Sequence, residues 1–375
     1  MLVAYTNGNK RFVLNTTLPH TTLKQLRKTQ QFYCPQCKQR LQLKVGQVKI
    51  PHFAHIANSD CEERFSEGES NAHLEGKEHL FTFFQTLNVQ VQLEPYLPTI
   101  QQRPDLLVFY NNKLIAIEFQ CSFLSFERLT ERNRGYSSAT ITPIWIPVTP
   151  SKIQTNGIFK LSISKQLQQF ILSTNQQQYI MTYSPNLRQF IYLSNLMYLN
   201  GNTFIAKVQA IPISKQNFPF YIPKKLSNEE FTNYLMLYNS FKHNYLKSRV
   251  LISRQGVNDL FLRSVYELRL DLQNFPIVLG VPIKGSEVVS GFTIEWQTAL
   301  FYFLLVNQLN VRSLNDGMIH YFLKWAHLNE TNDAFRVVKD YCDLLKKLSI
   351  QHVRQTVGKQ ELDNHLYSQF LAIKR

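Results

Sequence analysis

The sequence runs to 375 residues, 44% hydrophobic and 13% aromatic, which excludes a disordered chain and supplies core for two or three domains. Lysine and arginine number 41 against 26 aspartate and glutamate, and the resulting net charge of +15 favours a polyanionic partner. Met1-Leu-Val-Ala-Tyr-Thr-Asn-Gly turns polar at once, unlike a secretory leader, and the longest apolar run, Ala299–Val306, is far short of the roughly 20 residues that span a bilayer.

Leu2-Val-Ala-Tyr and Arg11-Phe-Val-Leu flank Asn7-Gly8-Asn9 and read as a β-hairpin. A short basic helix from Thr22 to about Gln30 follows. Cys34-Pro-Gln-Cys37 then precedes a second hairpin turning near Gly46, which carries His52-Phe-Ala-His55, with Cys61 beyond. Two thiols close in sequence and imidazoles across a hairpin suit a closed tetrahedral Zn²⁺ site, with Cys61 able to replace either histidine. A redox Cys-x-x-Cys would call for a thioredoxin-like βαβ context, and none surrounds it. Five cysteines used this way fit a reducing compartment, so a soluble cytoplasmic chain is expected.

Glu69, His73 and Lys77 recur at i, i+4 and i+8, which stacks them on one helix face, with Leu74, Leu80, Phe81, Phe84 and Leu87 as the buried stripe. Gly76 weakens that helix or admits a close backbone approach. Val89–Glu94 reads as a strand. Asp105-Leu-Leu-Val-Phe-Tyr110 and Lys113–Gln120 are two more, joined by Asn111-Asn112, which tolerates the positive φ of a two-residue turn. That turn pairs Tyr110 with Lys113, and counting back sets Asp105 directly opposite Glu118, roughly 5 Å apart. Like charges so placed call for compensation, and a hard divalent cation supplies it. Gln120 shares the strand face of Glu118, while Ile117 and Phe119 point the other way. Acid pairs on hairpins are usually surface features, but a third acid on the preceding helix favours a site. Ser125–Ala139 reads as a helix carrying Arg128 and Arg132, one turn apart and suited to phosphate, or else part of a solvated face. Pro143–Pro147 is a further strand.

Pro147, Pro150 and Gly157 mark a linker-like boundary. Lys165–Ser173 reads as helix, and Tyr179–Tyr183, Gln189–Leu193 and Thr203–Val208 as strands. After Pro223 the chain is helical to its end. Phe231, Tyr234, Tyr238, Phe241 and Tyr245 recur at helical spacing and read as a packed stripe rather than a base-stacking surface. Glu295-Trp296-Gln297 opens a buried helix through Val306, and amphipathic helices occupy about Gly317–His327 and Asn332–Leu348. No phosphate-binding glycine loop occurs.

The order helix, three strands, helix, strand, bearing Asp105 and Glu118-Phe119-Gln120, resembles the PD-(D/E)xK nuclease core. Glu69-Ser70…His73…Lys77, with Cys34-Pro-Gln-Cys37 and His52-Phe-Ala-His55, resembles the competence protein CoiA family in particular. The resemblance implies a restriction-endonuclease-like αβββαβ core at 66–150, behind a Cys/His module at 1–65. A β-rich middle at 151–222 and a helical domain at 223–375 follow. It implies Mg²⁺ or Mn²⁺ on Asp105, Glu118 and the Phe119 carbonyl, with Glu69 direct or through water. Gln120 stands where most such enzymes carry lysine, so Lys77 is the candidate replacement cation and His73 the candidate proton carrier. The resemblance further implies DNA, single-stranded or branched, as partner during natural transformation, alongside recombination or DNA-uptake proteins. A metal-dependent nuclease and a catalytically inactive DNA-binding module are both compatible with it.

Overall fold

Alternation of apolar and polar residues along Arg40-Leu-Gln-Leu-Lys44 buries Leu41 and Leu43 on one side of a strand and leaves their neighbours exposed. The computed structural model describes residues 1–14, 18–56, 69–153, 155–174, 177–252, 258–289 and 291–371. Its first unit contains β1 (Val3–Thr6), β2 (Arg11–Val13), α1 (His20–Thr29), β3 (Phe32–Tyr33), β4 (Arg40–Lys44) and β5 (His52–His55). The sheet order is β2-β1-β3-β4-β5, around Leu23, Phe32, Leu41, Leu43 and Phe53. The two expected hairpins, β1–β2 and β4–β5, are both present.

Next come α2 (Asn71–Thr86), β6 (Gln90–Leu93), β7 (Leu106–Tyr110), β8 (Lys113–Gln120), α3 (Phe126–Ser138) and β9 (Ile141–Pro147). The sheet runs β6-β7-β8-β9, antiparallel except for the last pair, where α3 makes the crossover a parallel pair requires. Asn111 and Asn112 both have positive φ, 49° and 59°, and Tyr110 pairs with Lys113 as the turn dictates. Ser70 and Ser125 cap α2 and α3, their hydroxyls accepting the N–H groups of His73 and Arg128. Glu69 therefore precedes α2 rather than standing on its face, a correction to the expected i, i+4, i+8 stack.

Leu74, Leu80, Phe83 and Phe84 of α2 pack on Leu106, Val108, Ile117 and Phe119. Gly76 is the closest approach: a Cβ there would lie 2.0 Å from the Phe119 ring. Tyr136 of α3 packs with Leu107, Ala116 and Ile141 in a separate cluster. Strand alternation thus sends Phe119 toward α2 and Glu118 toward α3.

The middle region holds β10 (Gly157–Ser162), α4 (Lys165–Gln168), β11 (Leu172–Thr174), β12 (Gln177–Ser184), β13 (Gln189–Asn200) and β14 (Thr203–Pro212). They form an antiparallel sheet ordered β10-β14-β13-β12-β11. Two expectations need correction here. Gly157 opens an edge strand rather than a linker, and the expected helix over Lys165–Ser173 stops at Gln168, giving way to β11. Tyr183, Phe190 and Tyr192 of this sheet pack with α2, and Val148 bridges Tyr183.

Six helices complete the described chain: α5 (Asn228–Ile252), α6 (Leu260–Glu267), α7 (Thr293–Val306), α8 (Asp316–Trp325), α9 (Asn332–Lys347) and α10 (Lys359–Leu371). Phe231, Tyr234 and Tyr238 are fully buried and Phe241 and Tyr245 pack beside them, so the aromatic stripe is core. Among the described residues, no helix is long and apolar enough to cross a membrane.

Candidate active site

The turn at Asn111-Asn112 fixes the register that brings the first two carboxylates together. Leu106 faces Ile117, which sets Asp105, one residue ahead of β7, beside Glu118 and Phe119. Asp105 Oδ2 accepts the Phe119 N–H at 2.9 Å and contacts His73 Nε2 at 3.2 Å; its Oδ1 is 3.8 Å from Lys77 Nζ. Burial alone would raise the Asp105 pKa, but His73, Lys77 and the Phe119 N–H outweigh it and hold the group at about 2.

Glu118 is buried on the α3 side, where Oε1 accepts hydrogen bonds from Arg132 Nη2 and the Tyr136 hydroxyl. Burial pushes its pKa up to about 7, aided by the negative charge of Asp105 and opposed by Arg132. Tyr136 and this role of Arg132 carried no readable sequence signal, since both depend on how α3 crosses the sheet. Arg132 was a phosphate candidate and is here the partner of Glu118. Arg128 pairs along its own helix with Glu131 at 2.7 Å.

Lys77 is buried beneath the site. Its Nζ donates to Glu69 Oε1 at 2.6 Å and to Glu94 Oε1. Burial disfavours its charge, but Glu69, Glu94 and Asp105 overcome that and raise its pKa. Against the same burial, Lys77 lowers the pKa of both glutamates. Glu94 was not singled out from the sequence. Its backbone N–H bonds the Asp105 carbonyl at 2.8 Å, so Glu94, Asp105 and Glu118 stand in a row across the ends of three adjacent strands. The far oxygen of Glu94 accepts the Leu2 and Val3 N–H groups at 2.9 and 3.2 Å, tying the first unit to this one. Gln120 ends β8 half-buried, its Nε2 donating to the Ser122 carbonyl at 3.0 Å.

The donor chemistry here fits a hard cation. Both carboxylates are hydrogen-bonded through one oxygen, Oδ2 of Asp105 and Oε1 of Glu118, so each has its other oxygen outside those bonds.

A second cluster lies in the first unit, where the ligand atoms of Cys34, Cys37 and His55 fall within 4.8 Å of one another. Cys37 Sγ is 3.4 Å from His55 Nε2. Two sulfurs and an imidazole are the donor set zinc takes in structural sites. His52 is not brought to this group. It is three residues from His55 on a strand and so points to the opposite face, with Nδ1 2.9 Å from the Ile50 carbonyl. Cys61 lies outside the described residues.

Three family models match the chain: the nuclease-like domain of competence protein CoiA over residues 69–225, its N-terminal domain over 15–64, and its C-terminal domain over 242–364. The competence protein CoiA of Bacillus subtilis (strain 168) is 28% identical over 278 residues, covering 74% of this chain and 73% of that protein. No solved structure matches at a significant level. Three consecutive matches, to the N-terminal, nuclease-like and C-terminal domains of one family, leave one conclusion: the chain belongs to the competence protein CoiA family.

Proposed function

We propose that this protein is a divalent-metal-dependent nuclease that hydrolyses DNA phosphodiester bonds during natural transformation, built on a PD-(D/E)xK core of restriction-endonuclease-like fold. The observation that carries this reading is the convergence of Asp105 and Glu118 at the ends of paired strands, each bonded through a single oxygen. Asp105, Glu118 and the Phe119 carbonyl would hold Mg²⁺ or Mn²⁺. When bound, the ion supplies a lowered pKa for its water and a counter-charge for the scissile phosphate. The other residues act around that pair. Lys77 and His73 fix Asp105, and Glu69 and Glu94 fix Lys77, which makes Lys77 a buried positioning residue beneath the site. Gln120, through its carbonyl oxygen, orients a water molecule, and His73 carries a proton at Nε2. Arg128, at the rim, is the candidate phosphate contact.

Cys34, Cys37 and His55 would hold a structural Zn²⁺, with the fourth ligand from Cys61 or solvent. The family relationship supports a setting in which recombination or DNA-uptake proteins are the partners. The chain divides functionally at about residues 65, 150 and 222.

Two observations favour a second reading. Arg132 already neutralises Glu118, and the Gln120 amide is turned to Ser122, as would suit a core that holds DNA without cutting it. The test is incubation of labelled single-stranded, duplex and forked DNA with Mg²⁺ or Mn²⁺. Cleavage that EDTA abolishes supports the nuclease; binding without cleavage on all three substrates supports the second reading.

A further inference from the structure

The middle sheet ends at β10, which has β14 on one side and, among the described residues, no strand on the other. Ile163, just past β10, donates its N–H to the Asn202 carbonyl at 2.7 Å. Residues of an antiparallel ladder alternate between bonded and unbonded pairs, so Leu161, Phe159 and Gly157 hold the bonds to β14. The N–H and C=O groups of Ile158 and Lys160 therefore point away from β14, to the open edge. Such an edge is a template for a further strand, and its unpaired groups select an extended backbone.

Side chains beside the edge narrow the choice. A groove of about 610 Å³ lies between β10 and α5, with Ile158, Met236 and Leu237 as apolar walls. Met236 is 58% exposed there. Lys207 and Glu230, also in the groove, pair with each other at 2.5 Å. Lys160 shares the strand face of Ile158 and lies over the Phe241 ring at 5.5 Å, with no carboxylate partner among the described residues. A strand added to this edge sets one residue opposite Ile158 and another, two positions along, opposite Lys160. The first place suits an apolar side chain lodged in the groove, and the second a carboxylate. A second copy of β10 supplies no such acid. Lysine is its one charged residue, and self-pairing would bring two like charges onto one short ladder.

We infer that the open edge of β10 and this groove form a docking site for an extended segment of a partner protein, which carries an apolar and an acidic residue two positions apart and adds as a sixth strand to the middle sheet. The site shares no residue with the Asp105–Glu118 centre and does not depend on the nuclease reading.

The test is equilibrium binding of a labelled peptide to the full chain, read by fluorescence anisotropy. The probe repeats valine-threonine-glutamate-threonine. One control replaces glutamate by lysine, and the other keeps the charges but is N-methylated along its backbone and so lacks ladder donors. The probe should bind at least about tenfold more tightly than either control. Met236→Ser, at an exposed position, should remove most of that advantage. Lys160→Glu should reverse the preference and favour the lysine peptide, a gain that a merely damaged protein would not show. No binding of the probe up to about 1 mM, equal binding of either control, or an unchanged preference in folded Lys160→Glu would overturn the inference. So would a wild-type dimer in sedimentation that Ile158→Pro dissolves, since that proline removes an outward N–H and would assign the edge to a second copy.

Discussion

Lys77 is buried among Glu69, Glu94 and Asp105, and removing its charge would leave buried carboxylates without their shared cation. Lys77→Met should therefore cost about 3–5 kcal/mol, read as a lower denaturant midpoint. Lys242 is the opposite case. It is half-buried on α5, donating to the Leu279 carbonyl at 3.2 Å, and burial lowers its pKa from 10.5 to about 8. Between those values the unfolded chain binds the proton and the folded one releases it, so this residue's contribution to stability rises with pH. Lys242→Met should be at its most favourable relative to wild type below pH 8, and that advantage should shrink steadily toward pH 10.5. Equilibrium unfolding of both proteins across this range measures it. At this scale Asp105 and Glu118 were legible because a two-residue Asn-Asn turn admits one register. Glu94 was not, because a long connection separates β6 from β7 and hides their register from the sequence. His52 and His55 looked equivalent as ligands, although strand alternation separates them.

Between α2 and β8, the missing side chain at Gly76 is what the ring of Phe119 occupies. Gly76→Ala improves helix propensity by about 1 kcal/mol, yet must displace that ring, so a net loss of about 1–3 kcal/mol is expected. The Gly76→Ala/Phe119→Ala pair should cost less than the two single changes together, which a double-mutant cycle on unfolding free energies would show. In the first unit, one equivalent of zinc per purified chain is expected, with release on Cys34→Ser or Cys37→Ser substitution measured by a colorimetric chelator. The helices were legible where caps and periodicity agreed: Ser125 and Ala139 bound α3 as expected. The segment Lys165–Ser173 misled because a single capped turn was read as a longer helix. The short edge strand β10 gave no signal, since its neighbour β14 lies far along the chain.

Across the whole molecule, the middle sheet is packed onto α2, across the point where proline and glycine mark a boundary. That contact is long-range in sequence and no local pattern announces it. The net charge of +15 predicts that DNA affinity falls linearly on a log–log plot against salt, whatever the sequence bound. Charge of this kind draws nucleic acid in, whereas the proposed chemistry depends on two carboxylates. The most direct measurement is single-turnover cleavage of labelled DNA with Mn²⁺ by wild type, Asp105→Asn and Glu118→Gln, with folding checked by circular dichroism. Cleavage by wild type that both folded variants lose by about a hundredfold or more is the predicted result. Equal cleavage by either variant, or tight binding by wild type with no cutting, would contradict a metal-dependent nuclease centred on Asp105 and Glu118.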